Sequence, residues 1–243
     1  KTSFALNIAY NIAASSRYNP RKSVAFFSLE MSNSELSKRV ISSTLHIDSE
    51  KLRLGTLEDS DWDDLYDFWH DTLPNVNFIM DDTPAITVLD IKSKLRKINN
   101  LGLVVIDYLQ LMVSAGGRTY SGENRQQVVS DISRSLKIMA KELNVPIIAL
   151  SQLSRAVEKQ GNNSSHRPQL SDLRDSGSIE QDADCVLFLY RDSYYASQNP
   201  DGAEVDADTA ECIVAKNRHG ETSTVPLGWD GAHTRFMDVD FKR

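Results

Sequence analysis

At 243 residues and 40% hydrophobic content the chain is long enough to bury a full core, and α/β domains of this length commonly form one unit, so a single domain over 1–243 is expected. The net charge of −7 excludes an all-over basic coat, so a nucleic-acid partner would have to meet a local basic loop or a channel. Two cysteines, Cys185 and Cys212, make neither a metal site nor a disulfide framework and fit a reducing cytoplasm, while no run of about 18 apolar residues and no signal-peptide core points to membrane or export.

The chain opens on Lys1-Thr2-Ser3, which runs straight into the helical pattern Phe4, Ile8, Ile12. That is how the end of a G-x-x-x-x-G-K-[ST] phosphate loop enters its helix, and it implies that the glycine half of the loop lies upstream. An apolar run at 24–29 predicts the first strand, with Glu30 just past it at the carboxyl edge, where α/β sheets bind ligands. Ser32 and Glu35 then have capping-box spacing, and Leu36, Val40 and Ile41 follow at helical intervals.

Further strands are predicted at 76–80, 103–106, 145–150 and 185–190. Helices separate most of them: one after Thr87 with the face Ile91, Leu95, Ile98, and one after Glu123 with the face Val129, Ile132, Leu136, Met139, Leu143. Strands alternating with helices predict an α/β fold with a largely parallel sheet covered on both faces. The β-rich runs 210–215, 222–227 and 235–241, with a turn at His219-Gly220, are read as an antiparallel extension of the same sheet. Segments 114–124 and 155–178 resist regular structure, and long loops inside compact domains are usually functional or disordered.

Asp107 closes the apolar run that begins at Leu101, where a carboxylate is what a phosphate-bound Mg2+ needs. Lys1 would neutralise the β and γ phosphates and Thr2 would ligate the metal, so the residues point to an ATP and Mg2+ site. Other positions carry two readings each. Glu30 lies near the phosphates or is a helix-entry carboxylate stabilised by the dipole. Gln152 hydrogen-bonds a terminal phosphate or is a solvated loop amide. The loop 170–178 grips a phosphodiester through Arg174 and backbone amides near Gly177, or is a surface Arg–Asp cluster with Asp172 and Asp175. Lys216 and Arg218 alternate on a strand and point to one face, either as charged protection of a sheet edge or as cations delivered to a neighbour's nucleotide.

Five segments taken in order, 1–9, 27–32, 105–111, 149–155 and 173–184, resemble the ATPase domain of DnaB-type replicative helicases, and the resemblance spans almost the whole chain. It implies a RecA-like P-loop core, with a mostly parallel central sheet and an antiparallel C-terminal extension. It further implies a homohexamer that hydrolyses ATP at subunit interfaces, draws single-stranded DNA through its centre, and meets a primase and a helicase loader. By this resemblance Lys1 and Thr2 belong to the phosphate loop, Glu30 polarises the attacking water, Asp107 is the metal-site acid and Gln152 senses the γ-phosphate. Arg39 is the arginine near the nucleotide, Arg174, Asp175 and Gly177 lie on the DNA-contacting loop, and Lys216 and Arg218 reach the neighbouring subunit's γ-phosphate.

The family's amino-terminal domain and linker are expected upstream, and 160–166 and 194–208 have no counterpart in its pattern. Two other readings compete: a RecA-like ATPase of recombination or clock type, and an ATP-binding loader or scaffold without efficient turnover. Segments 173–184 and 27–32 favour the helicase over the first. Glu30 and Arg218 disfavour the second, since both act on a transition state rather than on ground-state binding.

Overall fold

A computed structural model describes residues 1–113, 124–153, 167–196 and 208–239. The chain divides into two compact units, Lys1–Ser151 with Ala232–Arg235, and Gln152–Gly231 with Phe236–Arg243.

The first unit is a parallel sheet with helices. Its strands β1 (Ser23–Ser28), β2 (Phe78–Asp81), β3 (Leu101–Asp107) and β4 (Ile147–Ala149) run in the order β2-β1-β3-β4, and every pairing is parallel. β1 is buried at every position, which is why it reads as one apolar run rather than an alternation. Helix α1 (Thr2–Ala14) lays Leu6, Ala9 and Ala13 into the core with Val24, Phe26 and Val105, and Tyr10 of α1 meets Phe78 edge-on at 6.2 Å between ring centroids.

Local signals explain the helix starts. At α2 (Asn33–Leu45) the Ser32 side chain accepts from Glu35 N while Glu35 accepts from Ser32 N, and Thr87 and Asp90 form the same reciprocal pair at α5 (Val88–Leu95). The first box and the helix start after Thr87 fall where the sequence puts them. α5 ends at Leu95, so Ile98 lies past it. α6 (Asn124–Leu143) buries Val129, Ile132, Leu136 and Met139, the face expected of it. Two helices absent from the sequence reading, α3 (Ser49–Leu54) and α4 (Asp59–Asp67), fill the stretch before β2. α3 carries its own punctuation: Asp48 accepts from Glu50 N, and Gly55 takes the left-handed cap at φ 73°.

The second unit is built on an antiparallel sheet, β5 (Cys185–Tyr190), β6 (Thr209–Asn217), β7 (Ser223–Asp230) and β8 (Arg235–Asp238), in the order β5-β6-β7-β8. This corrects the single-sheet reading, because the described strands form two separately hydrogen-bonded sheets. The four late strands follow one another in the chain, and pairing of sequence neighbours closes shorter loops than recruitment to a distant edge. Short helices precede and follow β5: α7 (Gly177–Asp182) and α8 (Asp192–Ala196). Leu173, Val186 and Phe188 form this unit's buried cluster. Cys185 is exposed and Cys212 buried. The expected loop at 114–124 and the segments 160–166 and 194–208 fall largely or wholly outside the described residues.

Phe26 has no solvent exposure and packs edge-on to Phe78 at 6.3 Å. Phe26→Ala should therefore destabilise the protein by about 3–5 kcal/mol, read as a fall in the urea midpoint at unchanged slope.

Candidate functional site

Parallel pairing of β1 with β3 sets Ser28 opposite Asp107, and Leu29 N donates to Asp107 O at 2.7 Å. The carboxyl ends of the two strands thus lie together. Ser28, itself buried, donates its hydroxyl to Met31 O at 2.7 Å and accepts from Met31 N at 3.1 Å, which folds 28–31 into a tight turn. Ser32 then starts α2. Glu30, exposed, is held on that turn between a strand end and a helix cap, so its position near Asp107 is dictated from both sides.

Lys1 is the N-cap residue of α1 and Thr2 its first residue. Thr2 Oγ1 donates to Asp107 Oδ2 at 2.6 Å, and Asp107 is 2% exposed, so a hydroxyl and a buried carboxylate present their oxygens side by side. Lys1 Nζ donates to Ser151 O at 3.0 Å. Although Lys1 as a whole is exposed, desolvation at its ammonium end lowers its pKa, and the charges of Asp107 and then Glu30 oppose that lowering. Those two attractions put both carboxylates within electrostatic reach of the ammonium. Arg39 of α2 reaches the first turn of α1, where Nη1 donates to Ser3 Oγ at 3.4 Å. The first unit therefore brings together Lys1, Thr2, Glu30, Arg39 and Asp107.

Two members of this constellation carry no role in the sequence reading. Ser151 supplies the carbonyl that meets Lys1, and Gln110 Nε2 donates to Ser151 Oγ at 2.8 Å. A contact across 41 residues leaves no local signal; only the inclusion of Gln110 in segment 105–111 and of Ser151 in segment 149–155 marks it.

The second unit holds the remaining residues. Gln152 is exposed and follows Ser151 directly. Arg174 and Asp175 lie in a 3-10 helix, Leu170–Ser176, and Gly177 begins α7, which corrects the expectation of irregular chain over this part of 155–178. Asp172 Oδ2 accepts from Gln169 N at 2.7 Å and buried Leu173 anchors the helix, a short start signal that the polar composition masks. Only the backbone is described at 174–177.

Lys216 is on β6, but Arg218 falls in the turn beyond it, so the two do not alternate on one strand as expected. They converge nonetheless. Lys216 Nζ donates to Glu180 O at 2.6 Å, while Arg218 meets Asp184 Oδ1 at 3.1 Å through Nη1 and Gln181 O at 3.3 Å through Nη2. Arg218 N also donates to Asp184 O at 2.8 Å. Both cations thus sit at the C-terminal end of α7, where unpaired carbonyls and the helix dipole attract positive charge.

The family model of the DnaB-like helicase C-terminal domain matches residues 1–238. The chain belongs to that family. It is 47% identical to the replicative DNA helicase DnaB of Geobacillus stearothermophilus over 99% of this chain and 50% of that protein, so it spans about half the length of the curated relatives it matches. A solved ATPase domain superposes with a TM-score of 0.84 at 37% identity, covering 99% of this chain and 81% of the other. The solved structure of a DnaB-like replicative helicase and its interactions with primase gives 0.84 at 36% identity, covering 98% and 56%. The fold is accordingly the RecA-like ATPase fold of DnaB-like domains, with a parallel sheet carrying helices and a second, antiparallel sheet.

In this DnaB-like domain the charges around Lys1 can be read directly. Because Asp107 and Glu30 both hold the ammonium's pKa up, Asp107→Asn and Glu30→Gln should each lower it further, with the larger fall in Asp107→Asn. Titration of labelled lysine Nζ by NMR checks the order. An unchanged Lys1 in Asp107→Asn would show that the carboxylate is not felt.

Proposed function

We propose that residues 1–243 act as one ATPase domain of a homohexameric replicative DNA helicase, hydrolysing ATP between subunits to move along single-stranded DNA in the cytoplasm. The observation that carries this reading is the Thr2–Asp107 pair beside Lys1 and Glu30, in a chain of the DnaB-like family. The same site would serve a recombination or clock ATPase, so family membership supports the helicase. A primase partner is supported by the resemblance to a helicase solved with its primase interactions; a loader is proposed from the family pattern alone.

The donor set fits Mg2+. One buried carboxylate and one hydroxyl at 2.6 Å suit a small hard cation that takes its other ligands from phosphates and water, and the described residues contain no larger acidic or histidine cage. When bound, the metal would supply positive charge to the phosphates. Lys1, anchored on Ser151 O, brings its ammonium charge to the β and γ phosphates and neutralises them, and Arg39 stands at the same helix end. Glu30 takes the proton of the attacking water, and Gln152 hydrogen-bonds the γ-phosphate. Lys216 and Arg218 act on the site of the adjoining subunit, where an arginine in trans stabilises the charge of the transition state. Arg174, Asp175 and Gly177 hold the DNA backbone through side-chain and amide contacts, without reading sequence.

Addition of single-stranded DNA should raise ATP hydrolysis by the full-length protein. Glu30→Gln should keep ATP affinity while turnover falls by about 10²-fold or more, since the amide cannot accept the proton. Full turnover in that variant would reduce Glu30 to a turn residue, and indifference of the wild type to DNA would favour a non-helicase ATPase.

Arg174→Ala should weaken DNA binding equally for unrelated sequences and lower the slope of log affinity against log salt by about one, as one phosphate contact is lost. A sequence-dependent loss at an unchanged slope would contradict a backbone contact.

A further inference from the structure

We propose that Gln110 is a positioning residue for ATP turnover, acting through Ser151 on the ammonium of Lys1; this rests on the ATPase reading above. Gln110 lies in the 3-10 turn Leu109–Leu111, which begins two residues after Asp107. Its side-chain amide donates to Ser151 Oγ at 2.8 Å in a half-buried setting, and the carbonyl of the same Ser151 accepts Lys1 Nζ at 3.0 Å. One residue thus receives Gln110 on its side chain and Lys1 on its backbone.

The surrounding backbone makes this linkage stiff. Leu150 N donates to Ile106 O at 2.9 Å and Leu109 N donates to Leu150 O at 3.0 Å, so the loops leaving β3 and β4 are joined up to Leu150. Ser151 lies one residue beyond those bonds. The amide of Gln110 holds the Ser151 side chain and so restrains the movement of the residue whose carbonyl accepts Lys1 Nζ. A lysine ammonium has three donors, and the one committed to Ser151 O orients the other two. Gln110 therefore aims the phosphate-binding cation without touching the nucleotide.

The consequence is a kinetic split. Lys1 remains present and charged without Gln110, so ground-state neutralisation of the phosphates survives, whereas alignment for the transition state does not. In full-length protein, Gln110→Ala and the volume-keeping Gln110→Met should each lower kcat about tenfold with KM for ATP changed less than about threefold. Ser151→Ala should do the same. Because the two side chains act through one bond, the Gln110→Ala, Ser151→Ala double variant should be no slower than the slower single variant. The urea midpoint of Gln110→Met should match that of the wild type, which would separate the loss from unfolding.

Wild-type kcat in both Gln110 variants overturns the proposal, as does a double variant whose loss equals the product of the two single losses. A wild-type protein with no ATPase activity sinks the ATPase reading and the proposal together, whereas an active wild type with indifferent Gln110 variants sinks the proposal alone.

Discussion

The parallel register of β1 against β3 is the constraint on which the rest of the site depends. It sets Ser28 opposite Asp107 and ties Leu29 N to Asp107 O, so the turn that carries Glu30 starts beside the buried carboxylate. A shift by one residue would turn Asp107 to the other face of its strand and break its bond with Thr2 Oγ1. The register is held by burial: Phe26 and Val105, paired across the two strands, have no exposure, and neither can leave the core without a large loss of apolar burial. Hydrophobic packing in the middle of the sheet thus determines the geometry of polar groups at its end.

The site mixes groups held by the backbone with groups held only by each other. Glu30 belongs to the first kind, on a turn closed by Ser28 and a helix started by Ser32. Lys1 belongs to the second. Its ammonium rests against Ser151 O under the pull of Asp107 and Glu30. Such an arrangement costs the ammonium part of its hydration, which is the physical source of its lowered pKa.

In the second unit the two basic residues Lys216 and Arg218 meet the end of α7, whose first residue is Gly177 of the proposed DNA loop. A six-residue helix is therefore bounded at one end by the segment proposed to hold DNA and at the other by the cations proposed to act in trans. The Arg218–Asp184 pair is half-exposed, so its ionic component contributes little to stability. Its value is positional, since the backbone bond from Arg218 N to Asp184 O fixes the turn that carries the guanidinium.

The sequence by itself determined what depends on neighbours along the chain. Capping boxes at Ser32 and Thr87, the buried face of α6, the apolar runs of β1 and β3 and the strand-end places of Glu30 and Asp107 are all legible because propensity and periodicity act over a few residues. α3 carries end signals in Asp48 and Gly55 but went unread, because its weak apolar pattern gives no periodicity. Tertiary structure decided the pairings. The separation into two sheets, the place of Arg218 in a turn and the link from Gln110 through Ser151 to Lys1 follow from contacts between residues far apart in sequence. Such contacts are selected by packing and hydrogen-bond satisfaction of the whole fold, and no local pattern encodes them.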